Sequence, residues 1–159
     1  EIIEGYLSQA HRESVLGKVR EYYGEFASVE DLTKVENNRL VYLGNHLFNH
    51  FNAVVISETE LKQAYQRNQE EINQYSNGTW LFSYPFGQPG SCYNDDTDRL
   101  IESLGAEKIF SAFPVINPSA SPYILHRISN IPPTSAPQDL KFPVLFGAMK
   151  TRIAGYDPR

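Results

Sequence analysis

The sequence predicts an α/β fold built on parallel strands, and three observations support the prediction. Short apolar, partly β-branched runs alternate with longer segments of helical periodicity. The helical segments have their own start and stop signals: Ser57-Glu58-Thr59-Glu60 and Asn94-Asp95-Asp96 at the starts, Asn77-Gly78 and Gly105 at the stops. A strand–helix–strand–helix–strand order returns each strand to the sheet by a right-handed crossover, which pairs the strands in parallel.

In chain order, residues 6–23 read as helix through Leu7, Ala10, Val15, Val19 and Tyr22. Arg39-Leu-Val-Tyr-Leu-Gly44 reads as a buried strand ending at glycine. Ser57-x-x-Glu60 is a capping box, in which the serine and the glutamate satisfy each other's orphan backbone donors. Behind it Leu61, Tyr65, Asn68, Ile72 and Tyr75 recur at helical spacing, with Lys62, Arg67, Glu70 and Glu71 elsewhere on the wheel. Asn68 interrupts that otherwise apolar stripe. Helix is expected from 58 to about 75. Thr79–Tyr84 returns as a strand, and Asn94 caps a second helix through Leu104. Lys108–Phe113 is the third strand, and Pro122-Tyr-Ile-Leu125 leads into a fourth. Asn117 to Pro143, with six of the ten prolines, is the loop-rich stretch.

A length of 159 residues predicts a single domain, 1–159. Fourteen Lys and Arg against 19 Asp and Glu give a net charge of −5 without a basic block. Such a surface argues against nucleic-acid and anionic-membrane partners. The apolar runs fall far short of the roughly 20 residues a membrane span needs. A single cysteine, Cys92, excludes an internal disulfide framework and a multi-cysteine metal site. Ten Tyr and nine Phe suit a filled core, and also a groove that stacks sugars. The start at Glu1-Ile2-Ile3-Glu4, without a methionine, reads as an excised or processed segment.

Two features at strand ends bear on chemistry. His46 and His50 follow the first strand in Gly44-Asn-His-Leu-Phe-Asn-His50. A four-residue spacing puts both imidazoles on one face of a helical turn, where they can share a Zn²⁺-type ion. The competing reading is a polar surface turn. Leu47 and Phe48 stand where the metalloprotease form of this motif has its glutamate, so that class is excluded. The second feature, Phe82-Ser-Tyr-Pro-Phe-Gly87, ends the next strand in a tight turn.

In this order, across about residues 38–130, the two features resemble the polysaccharide deacetylase superfamily (carbohydrate esterase family 4). Ile56–Leu61 is similar to the segment after that family's metal-binding histidines. Tyr84-Pro-Phe-Gly87 is similar to its Tyr-Pro-Tyr/Phe-Gly branch, and Leu125-His-Arg-Ile128 to that branch's Leu-x-Arg-Ile strand. The resemblance implies a deformed (β/α)₇ barrel that removes acetyl groups from N- or O-acetylated sugars. It implies His46 and His50 as ligands of a divalent metal, Zn²⁺ first, with Co²⁺, Ni²⁺ or Mn²⁺ as alternatives. It further implies Phe86 as the backbone oxyanion donor, Ser83, Tyr84 and Pro85 as one wall of the sugar groove, and Arg127 reaching that groove. The metal would lower the pKa of bound water and polarise the acetyl carbonyl, while the N–H would stabilise the tetrahedral oxyanion.

The family's Thr-Phe-Asp-Asp-Gly motif, with its general base and third ligand, has no match here. Asp31 lies in a helical pattern and Asp95-Asp96 in a helix cap, so the motif is expected upstream of Glu1. The chain then represents the C-terminal portion of an incomplete barrel, first strand missing, with five or six parallel strands and an open seam favouring oligomers. The isolated chain is expected to be inactive. Leu47 stands where the family prefers Ser or Thr, and the late Leu-x-His general acid has no clear counterpart; His126 and His11 read as structural or surface residues. Family members act on exported glycans, which implies an extracytoplasmic location. Two alternatives remain open at this point: a glycan-binding pseudo-enzyme of the same fold, and an α/β structural or interaction domain.

Overall fold

Four strands, β1 (Leu43–Asn45), β2 (Gly78–Ser83), β3 (Lys108–Ser111) and β4 (Ile124–His126), lie side by side in chain order, every pair parallel. The computed structural model describes residues 9–24, 27–117 and 123–127. The chain divides into two compact units, Glu1–Asn38 and Arg39–Arg159. The parallel sheet, with a helix in each of its first two crossovers, is an α/β arrangement that matches an incomplete deformed barrel. Four strands stand among the described residues where five or six were expected, and residues 128–159 lie outside the description.

The first unit contains α1 (Gln9–Tyr23) and α2 (Val29–Val35). Ser28 caps α2 in a full capping box, its N–H and hydroxyl donating to the Asp31 carboxylate at 3.1 and 2.8 Å. Those bonds hold the Asp31 carboxyl below its ordinary range. Asp31 therefore lies within the helix its pattern suggested, and completes the capping box.

In the second unit, α3 (Glu58–Ile72) begins at the Ser57–Glu60 capping box read from the sequence. It ends about three residues before the expected point, because Tyr75 and Gly78 turn the chain into β2 through bonds to Ile72 and Tyr75 carbonyls. A Cβ on Gly78 would lie 2.5 Å from the Ile72 carbonyl oxygen, so only glycine fits there. The run before β1 pairs later than expected. Parallel register sets Leu43 opposite Gly78, the first residue of β2, so residues 39–42 have no strand to join. Leu40 and Tyr42 are accordingly exposed.

The core lies between the sheet and the two helices α3 and α4 (Asp95–Ser103). Leu61, Ala64 and Tyr65 of α3 and Ile101 of α4 cluster with Phe82 and Ile109 of the strands. Asn94 caps α4 through bonds to the Asp96 and Thr97 N–H groups, and Gly105 (φ 100°) stops it. Inside the first turn of α4, Asp98 accepts a 2.7 Å hydrogen bond from the Tyr84 hydroxyl. Burial pushes the Asp98 carboxyl up from 3.8 to about 6, with Asp95 adding to the rise and the Tyr84 bond and Arg99 opposing it.

Because the folded state holds this proton more tightly than the unfolded chain, the stability it contributes is full below about pH 4 and is lost as pH rises through about 6. Asp98→Asn stays neutral throughout. Melting curves from pH 4 to pH 8 should show the variant gaining on wild type as pH rises, with the gain concentrated between 4 and 7. A difference independent of pH would contradict the assignment.

Candidate functional site

The chain leaves β1 at Asn45, whose side chain is fully buried. Its amide donates to the Tyr65 carbonyl at 2.9 Å and to Gln69 Oε1 at 3.2 Å, and its oxygen accepts from the Leu47 N–H at 3.1 Å. The next residue, His46, donates its backbone N–H to Asn68 Oδ1 at 2.8 Å. Leu47 (φ 62°) and His50 (φ 52°) adopt left-handed backbone, so residues 46–50 form a loop and not the helical turn expected from their spacing. Asn45 and α3 take the N–H groups of His46, Leu47 and Phe48 directly, in place of an intrahelical ladder. The left-handed bend also turns Leu47 into the core, which accounts for an apolar residue where the resembling family prefers a hydroxyl.

The two imidazoles nevertheless converge, edge to face with ring centroids 4.9 Å apart. His46 Nδ1 lies 2.6 Å from the Ser83 carbonyl oxygen at the end of β2. A carbonyl only accepts, so Nδ1 carries the proton and Nε2 presents its lone pair. Burial lowers the His46 pKa; the Ser83 bond opposes that, and the charges of His50 and Arg127 add to it. Among the described residues no group of three or more His, Cys, Asp or Glu side chains is placed to hold a metal. The two imidazoles fit as two ligands of such a set, since one ring has its outer nitrogen already engaged as metal-binding histidines require.

Residues 84–87 carry β2 past this pair. Phe86, 43% exposed, sets its ring edge-on to His50 at 5.3 Å. No hydrogen bond from the Phe86 N–H to a described residue is present. Gly87 is obligatory, since a Cβ there would sit 2.3 Å from the Ala112 Cβ. Arg127, just beyond β4, donates from Nε to the Ser111 carbonyl at 3.1 Å and from Nη2 to the Tyr84 carbonyl at 3.2 Å. Its cation thus spans the carboxyl ends of β2 and β3, half-buried, and burial lowers its pKa.

One expected wall residue is elsewhere. Tyr84 is 0% exposed, packed edge-on to Phe82 and stacked on Tyr93, with its hydroxyl on Thr97 and Asp98. Strand alternation places it on the helix-facing side with Phe82, and Ser83 on the other. Pro85 is half-buried, and the buried Ser83 hydroxyl has no hydrogen-bond partner among the described residues. His126, read as structural or surface, is buried with Nδ1 2.7 Å from the Ser111 hydroxyl, and burial lowers its pKa. Exposed His11 lies on α1. Sequence reasoning missed Asn45, and it noted Asn68 only as a polar break in an apolar stripe.

The polysaccharide deacetylase family model matches residues 13–109, well over half the chain, from within α1 to β3. No curated protein and no solved structure gave a match. No described helix is long and apolar enough to cross a membrane.

Two substitutions test this geometry. Tyr84→Ala empties a core position and should lower stability by about 3–5 kcal/mol in denaturant unfolding; an unchanged midpoint would contradict its burial. Gly87→Ala should displace the 84–87 turn from Ala112, read as a loss of melting temperature together with shifted Phe86 and His50 resonances. Wild-type spectra in that variant would show that the close approach is absent.

Proposed function

Because the chain belongs to the polysaccharide deacetylase family, we propose that it acts in removing acetyl groups from an acetylated polysaccharide, with His46 and His50 as two ligands of a divalent metal. The observation that supports this most is the convergence of the two rings with His46 Nδ1–H held on Ser83, leaving Nε2 for a cation. The family is generally metal-dependent, and Zn²⁺ is the first choice for imidazole ligands, ahead of Co²⁺, Ni²⁺ or Mn²⁺. Such an ion supplies Lewis acidity toward the acetyl carbonyl and toward water.

Other residues of this chain have supporting roles, while the proton-transfer groups of the hydrolysis have no counterpart read in it. The Phe86 N–H donates to the oxyanion as the acetyl carbon becomes tetrahedral. Its exposed ring and Pro85 border the sugar, with Ser83 behind them; Tyr84 supports this edge from the core and does not line it. Arg127 adds a fixed positive charge beside the strand ends, favouring negative charge that develops there. Burial lowers the His46 pKa and so favours the neutral ring, the form a metal requires. The proposal includes an extracytoplasmic location, by resemblance to family members that act on exported glycans.

The test is acetate release from a panel of acetylated glycans by the natural full-length protein, with and without added Zn²⁺. His46→Ala and His50→Ala should each abolish turnover while leaving the melting temperature near wild type. Glycan binding without acetate release at any added divalent ion would favour a binding protein of the same fold. Undiminished release with both histidines replaced would remove the proposal.

A further inference from the structure

The polar break at Asn68 in an otherwise apolar helix face has a counterpart in the structure. Four residues of α3, Ala64, Tyr65, Asn68 and Gln69, recur at helical spacing and all receive hydrogen bonds from the chain leaving β1. Ala64 and Tyr65 accept through their carbonyls from the Phe48 N–H and the Asn45 amide, Gln69 through Oε1 from that same amide, and Asn68 through Oδ1 from the His46 N–H. Gln69 is itself fixed by donating to Asn73 Oδ1 and to the Thr79 carbonyl of β2. The loop these bonds hold contains two left-handed residues that are not glycine, Leu47 and His50. Such backbone is strained and persists only where the surroundings over-determine it.

We propose that Asn68 is a positioning residue: by fixing the His46 N–H it holds the histidine loop in its left-handed shape, so that His46 and His50 face one divalent cation. Asn68 touches neither the cation nor the substrate. This rests on the reading of the two histidines as ligands, and extends it to the helix that orients them. A purely structural asparagine would change stability without changing the state of the His46 ring.

The experiment uses the full chain labelled with ¹⁵N, and reads the imidazole tautomers by long-range ¹H–¹⁵N spectra at pH 8 and the response of the rings to Zn²⁺ alone. Wild type should show His46 as the Nδ1–H tautomer, with His46 and His50 shifting together on titration. Asn68→Ala should give a mixed His46 tautomer and a Zn²⁺ affinity weaker by about tenfold or more, the range found when an outer partner of a ligand is removed. Asn68→Asp keeps an acceptor and should restore both. Alanine is the stronger helix former, so α3 remains intact, and Asn68→Leu, which completes the apolar stripe, is a second loss variant expected to behave as Ala does. Wild-type tautomer and affinity in both loss variants, whatever their melting temperatures, would overturn the proposal; so would failure of Asp to restore what Ala loses. If the wild-type rings ignore Zn²⁺ while Asn68→Ala still alters the His46 tautomer, the positioning role stands and the metal reading is rejected.

Discussion

Asn45 is a carboxamide buried completely at the last residue of a three-residue strand. Left unpaired, such a group costs about 1–3 kcal/mol, so β1 is held where α3 offers the Tyr65 carbonyl and the Gln69 amide oxygen. That requirement fixes the distance between strand and helix and the direction in which the chain leaves the sheet. The Asn45 oxygen then takes the Leu47 N–H, which bends the chain left-handed and turns His46 toward the end of β2. Without this junction the two imidazoles would have no common direction.

The end of β2 answers the same constraint from the other side. The Ser83 carbonyl takes the His46 Nδ1–H. One residue on, the Tyr84 carbonyl accepts from Arg127, while the Tyr84 ring points the opposite way into the core. Backbone and side chain of the same segment thus serve different layers: the carbonyls organise the site, and the rings anchor the strand. Gly87 lets the turn press against Ala112 and keeps Phe86 beside His50.

What the sequence makes legible is what local chemistry decides. The caps at Ser57 and Asn94, the stop at Gly105 and the α/β alternation are set by neighbours within four residues, and each appears as read. The histidine loop was not legible in its shape, because a His-x-x-x-His spacing fits a helical turn as well as a bent loop, and the deciding bonds come from residues some twenty positions away. Tyr84 misled for a related reason. Alternation shows that Ser83 and Tyr84 face opposite ways, and only the packing of α3 and α4 shows which side is the core. Asn68 was visible as an anomaly, and its partner was not.

The central claim is that His46 and His50 bind one cation in a polysaccharide deacetylase site. X-ray absorption on the natural full-length protein loaded with one equivalent of Zn²⁺ tests it most directly. The account predicts two imidazole nitrogens at about 2.0–2.1 Å from the metal, falling to one in either single His→Ala variant. A metal environment with no imidazole, or one unchanged by losing both histidines, would contradict it.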